Sequence, residues 1–183
     1  MTRVELWNGD ICVLEVDAIV SPVGPSLWMS TGVAGAIKRA AGDAVECAAV
    51  RPGPREVGEA VITGGGALAA RAVIHAVSLD REHRTTGPAL EAAVRSAMSL
   101  AREMLATSIA FPALGTGIGG YPLDEAAAIT VATVRDELAR HGLIEHVVFA
   151  LRGATTYEAF RLALFEAEAA GAPVAPSRSW PND

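Results

Sequence analysis

The segment from Ser108 to Pro122 constrains this chain more than any other. A short apolar run, Ser108 to Phe111, enters a loop with four glycines among the six residues Gly115 to Gly120. A long Ala-rich helical pattern begins after Pro122. Glycine admits positive φ and lets a ligand approach the backbone with no Cβ in the way. The free N–H groups of such a loop, and of a helix start, make an anion site. The order strand, glycine loop, helix therefore predicts a backbone cradle for a phosphate or diphosphate.

A chain of 183 residues can hold one substantial core and is short for two. It is 51% hydrophobic, 20% charged and 5% aromatic, the balance of a compact α/β domain. The formal net charge of −6 argues against broad binding to DNA or RNA, which needs clustered Lys and Arg. One small anionic ligand stays open, because backbone amides hold a diphosphate without cations. Cys12 and Cys47 lack metal-ligand spacing and read as two buried thiols in a reduced cytosol. The N-terminus lacks a signal-peptide core, and no apolar run is long enough to span a membrane. The expectation is a soluble, cytoplasmic protein.

Val4 to Trp7 reads as a strand followed by the turn Asn8-Gly9-Asp10, and Val16 to Ser21 as a buried strand ending at a loop, Pro22 to Pro25. Gly32 to Ala41 reads as a helix closed by Gly42. Ala60 to Thr63 and Ala72 to Val77 read as strands around a triple-glycine turn, and Pro88 to Ala106 as an amphipathic helix. Strand Ile109 to Phe111, helix Leu123 to Arg140, strand His146 to Leu151 and helix Thr156 to Ala169 complete the pattern. Strands alternating with helices predict a mostly parallel sheet covered on both faces. Residues 1–170 are expected to form one domain. Residues 171–183, Pro- and Ser-containing and without periodicity, are expected to be a disordered tail.

Ligands of open α/β sheets sit beyond the carboxyl ends of the strands. Four segments fall there: Gly9-Asp10-Ile11, Pro22 to Gly32, Gly115 to Gly120, and Arg152-Gly153. Taken one at a time, these loops read equally well as tight turns.

Together they resemble a family. Gly9-Asp10-Ile11, Val16 to Val20, Gly32 to Ile37, Gly58 to Thr63, Val73 to Val77 and Phe111 to Pro122 occur in the order of a macrodomain, and the likeness runs from about Val4 to about Leu164. It implies a three-layer α/β/α sandwich with a mixed, mostly parallel six-stranded sheet and an ADP-ribose cleft at its crest. It also implies roles. Asp10 matches the acid that accepts from the adenine amino group, with Ile11 its neighbour. Gly32, Val33 and Ala34 match the first phosphate-facing loop. Gly115, Thr116, Gly117, Ile118 and Gly119 match the second. Arg152 falls about where an aromatic residue packs on adenine in relatives; a stacked guanidinium and a solvated one remain open. The implied partners are ADP-ribose or an ADP-ribosylated protein or metabolite, with no cofactor and no metal.

The departures carry as much. Many catalytic relatives have Asn-Ala-Ala-Asn after the second strand, where this chain reads Ser21-Pro22-Val23-Gly24. An acid that some hydrolases place after Gly-Val is Ala34 here, and Gly119 replaces a frequent aromatic residue over the distal ribose. Removal of an ester-linked group needs a positioned water or nucleophile. The sequence therefore favours recognition of ADP-ribose through backbone amides. The alternative is a hydrolase with a non-standard site, acting on mono-ADP-ribosyl proteins or O-acetyl-ADP-ribose. Trp28 and Met29 either wall the distal ribose or anchor their loop. Lys38 is a possible Schiff-base amine but reads better as solvated, His75 reads as a core histidine, and His83, His141 and His146 are too scattered for a metal.

Overall fold

Apolar β-branched runs alternate with Ala-rich amphipathic ones, and the computed structural model, which describes residues 2–170, turns them into six strands and five helices. The strands are β1 (Arg3–Asn8), β2 (Ala18–Val23), β3 (Ala60–Gly64), β4 (Ala72–Val77), β5 (Ser108–Phe111) and β6 (His146–Leu151). The helices are α1 (Gly32–Ala41), α2 (Asp43–Val50), α3 (Gly87–Glu103), α4 (Leu123–Arg140) and α5 (Ala154–Ala169). The tail expected over 171–183 lies outside the described residues.

The sheet order is β1-β6-β5-β2-β4-β3, parallel throughout except for β3, which runs antiparallel to β4. Successive side chains alternate between faces, so each strand contributes to two cores. Val20, Ile74, Phe111 and Phe149 pack against α3, α4 and α5. Ile19, Val73, Ala110 and Val148 pack against α1 and α2. The result is the three-layer α/β/α sandwich with a mixed, mostly parallel sheet. Phe149 sits between Phe111 and Phe160, with ring centroids 6.3 and 5.2 Å away. At the opposite edge from the loops of interest, Asp17 accepts hydrogen bonds from the N–H groups of Thr107 and Ser108 and pairs with Arg71, pinning β2 to β5.

Three elements depart from expectation. Strand β2 continues through Pro22 and Val23, where composition predicts a loop. Its pairing with β5 ends at Ile19, while its pairing with β4 continues through Val23. Beyond Ile19 the strand is paired on one side only, and a proline without an N–H is tolerated there. Helix α2 follows directly on Gly42, whose φ of 96° ends α1 and redirects the chain. A glycine stop thus hides a second helix. Helix α3 stops at Glu103 rather than at Ala106, and Leu105 turns the chain with a φ of 58°.

Candidate functional site

Five parallel strands end at one edge of the sheet, so the segments that follow them gather there: residues 9–14, 24–31, 78–86, 112–122 and 152–153. Between them lie a cavity of about 570 Å³ and a smaller one of about 60 Å³. Gly32 and Val33 line both, so the two adjoin at the start of α1 as one cleft.

At the smaller end stand Asp10, Ile11 and Arg152. Asp10 begins a short 3-10 turn, Ile11–Val13, and its Oδ1 accepts from the Cys12 N–H at 3.0 Å. Its Oδ2 accepts from Arg152 Nη2 at 2.8 Å. The Cys12 N–H does most to hold the Asp10 carboxyl below its usual range, with Arg152 adding to it. Asp10 is thus an ionised acceptor already partly engaged, and the largely exposed Arg152 is paired with it across 142 residues of chain.

In the middle, α1 and the glycine loop face one another. The N-cap Thr31 makes no side-chain capping bond. The first-turn N–H groups of Gly32, Val33 and Ala34 have no intrahelical partner, as at any helix start, and all three residues line the larger cavity. Across from them the loop is held by its own backbone: Gly120 N–H donates to Gly117 O (3.1 Å), Tyr121 N–H to Gly115 O (3.0 Å), and Thr85 N–H to Gly119 O (3.1 Å). Gly115, Gly117, Ile118 and Gly119 line the cavity. Thr116 is the exception, because its hydroxyl turns back to donate to Ala113 O at 3.0 Å.

Two of these glycines are there for different reasons. A Cβ on Gly119 would stand 2.7 Å from the Gly115 carbonyl oxygen and 2.9 Å from Leu79 Cδ2, and closer still to Thr85 Oγ1. The fold itself requires glycine there. A Cβ on Gly117 would meet nothing within 4 Å, and its φ is not positive. The fold leaves that position open, so a side chain there would project into unfilled space.

The Macro domain profile matches residues 20–130, well over half of the chain. A macro domain-containing protein of Xanthomonas axonopodis pv. citri is 42% identical, over 93% of this chain and 99% of its own. An O-acetyl-ADP-ribose deacetylase of Salmonella gallinarum is 44% identical, over 81% of this chain and 86% of its own. The structure of a Trypanosoma brucei macrodomain in complex with ADP-ribose superposes with a TM-score of 0.83 at 30% identity, covering 88% of this chain and 69% of that one. This chain belongs to the macro domain family.

The far end of this macro domain's cleft joins the segment that the sequence placed beyond the second strand to two residues, Leu79 and His83, whose place it did not reveal. Pro22, Val23, Gly24, Ser26 and Trp28 come from β2 and the loop after it, Leu79 and His83 from the loop after β4. Among the described residues lining the larger cavity, His83 is the only one with an ionisable side chain. It sits in the left-handed region (φ 60°), in a turn organised by Asp80, whose Oδ1 accepts from the N–H groups of Glu82 and Arg84 at 2.9 and 2.8 Å. No spacing in the sequence announces this placement, which depends on the turn.

Lys38 does not reach into the cleft as a nucleophile would. Its Nζ donates to Glu46 Oε1 at 2.6 Å, and Glu46 Oε2 accepts from the Met29 N–H at 2.7 Å. Burial works to raise the Glu46 carboxyl, but the Lys38 bond and the Met29 N–H outweigh it and hold the group below its ordinary range. The pair braces the loop. His75 is buried in the sheet, 2.9 Å from Thr63 Oγ1, and burial pushes its imidazole down to about 4, so it is a neutral core group. The two cysteines are free, but Cys47 is exposed, contrary to the expected pair of buried thiols. No helix among the described residues is long and apolar enough to cross a membrane.

Proposed function

We propose that this macro domain binds ADP-ribose, or a related nucleotide diphosphate, across both cavities. The base lies toward Asp10 and Ile11, and the diphosphate lies between the α1 start and the glycine loop. The remaining sugar extends toward Trp28 and His83. The observation that carries this reading is that Gly117, where a Cβ would meet nothing within 4 Å, and the uncapped first turn of α1 line the same cavity. The start of α1 and the glycine loop border one cavity, and among its described lining residues there is no lysine or arginine. That is a site for an anion whose charge is met by oriented backbone dipoles. The Trypanosoma relative bound to ADP-ribose supports the choice of ligand. Calorimetric titration with ADP-ribose, ADP and AMP tests it. ADP-ribose is expected to bind at micromolar affinity or better, about −8 kcal/mol, and AMP much more weakly. Absence of heat with all three would refute the reading.

A second reading is hydrolysis of an ester on the terminal ribose, favoured by the deacetylase relative and by His83 in the cavity lining. Gly24 and Ala34 offer no side chain to orient a water, whereas an imidazole is a competent base. His83 would take a proton from water as its oxygen bonds to the acyl carbon. The ester C–O bond then breaks, and the ribose oxygen recovers that proton, releasing ADP-ribose and the free acid. Turnover of O-acetyl-ADP-ribose, abolished in His83→Ala with ADP-ribose binding retained, is the expected result. Equal turnover by the variant would rule out His83 as the base.

A further inference from the structure

Trp28 is 59% exposed and lines the larger cavity, while its neighbours Leu27 and Met29 are 0% and 1% exposed. Leu27 takes a left-handed φ of 64°, a conformation that a residue with a Cβ adopts only when its surroundings impose it. On the other side the Met29 N–H is tied to Glu46, and Glu46 to Lys38. A large apolar ring is thus held out at the mouth of a cavity by two buried anchors and a charged brace. Left to the hydrophobic effect alone, that ring would turn inward.

The facing loop cannot provide such a wall. Gly119 has no room for any side chain, because Thr85, Leu79 and the Gly115 carbonyl fill the space. Ile118, 61% exposed, is the large apolar group that this loop does present to the cavity. Among the described lining residues Trp28 is the only Phe, Tyr or Trp. It lines the larger cavity together with Ile118, and not the smaller one where Asp10 stands.

We infer that Trp28 is the residue that distinguishes ADP-ribose from ADP. Its indole face packs on the C–H face of the terminal ribose, with Ile118 closing from the other loop. The inference rests on the orientation proposed above, with the base at Asp10. An aromatic ring adds contact area at little conformational cost, and its face accepts the apolar side of a sugar.

The test is calorimetry of wild-type, Trp28→Ala and Trp28→Phe proteins with ADP-ribose and with ADP. The Ala variant is expected to bind ADP-ribose about tenfold more weakly, to leave ADP affinity within about twofold, and to melt as the wild type does. The Phe variant recovers most of the loss. Intrinsic fluorescence is the second readout: the change on adding ADP-ribose is expected to be larger in the wild type than in Trp28→Phe, and the change on adding ADP to be similar in both. Equal losses for both ligands would put the ring on the base or phosphates and overturn the inference. So would no loss for either. If wild-type protein binds neither ligand, the cleft reading falls and this one with it. If the wild type binds both but without preference for ADP-ribose, this inference alone falls.

Discussion

The two ends of the cleft handle charge in opposite ways. At the smaller end, an ionised pair, Asp10 and Arg152, stands on the surface and faces whatever enters. At the larger end the ionised pair, Lys38 and Glu46, stands behind the wall and braces it, while the surface presented is mainly apolar, Trp28, Ile118, Leu79 and Val23, with Ser26 and His83 beside them. One end is suited to read hydrogen-bonding pattern, the other shape. Between them the start of α1 and the glycine loop line the cavity. On the proposed reading, the difference explains how a domain with a net charge of −6 would hold a diphosphate: among the described residues, no Asp, Glu, Lys or Arg lines the larger cavity.

The middle gives the largest expected effect. Gly117→Val is expected to weaken ADP-ribose binding by about a hundredfold or more while the melting temperature stays within about 2 °C, because the added side chain meets only the ligand's space. Gly119→Ala is its counterpart: the new Cβ collides with the Gly115 carbonyl and Leu79, and unfolding free energy falls by about 1–3 kcal/mol. If the two variants behave alike in melting and titration experiments, the distinction between a ligand-required and a fold-required glycine is wrong.

Next comes the brace behind the larger end. Glu46→Gln is expected to lower unfolding free energy by about 1–3 kcal/mol, because the Met29 N–H and Lys38 lose a charged partner. The sign with pH follows from the lowered carboxyl. The unfolded chain binds the proton more readily, so the stabilisation is fully present above the ordinary value of 4.5 and is lost as pH falls through the lower folded value. Urea unfolding from pH 7 down to pH 3 should show a smaller acid step in the variant than in the wild type. Identical profiles would remove Glu46 from the account.

At the smaller end the expected effect is the smallest. Asp10→Asn should weaken ADP and ADP-ribose alike, by about tenfold, since both carry the base. That pattern is the reverse of the one expected for Trp28, which separates the two ligands. A loss confined to ADP-ribose in Asp10→Asn would turn the ligand around in the cleft.

The strand–loop–helix order, the six strands and the four loops at one edge were legible in the sequence because they are local: apolar periodicity, glycine and proline mark them without reference to distant residues. Asp10, Gly32 and Gly117 were named from the resemblance that their short runs carry, and all three line the cavities. What was not legible depends on contacts between remote segments. Pro22 reads as a strand end until the pairing partners of β2 are known, and Gly42 reads as a stop until α2 is seen beyond it. Lys38 reads as a solvated lysine until Glu46 folds back beneath Met29. Thr116 sits in the glycine motif like its neighbours, yet its hydroxyl turns into the loop.

By itself the sequence determined an α/β fold and marked the glycine loop and helix start from which an anion site is proposed, because hydrophobic period and turn chemistry act over a few residues. Only the tertiary structure decided what stands around that site: Arg152 on Asp10, His83 in the cavity lining, Trp28 held outward, and no room at Gly119. Those outcomes depend on which atoms are brought within a few ångströms by burial and packing, and sequence spacing carries no record of that distance.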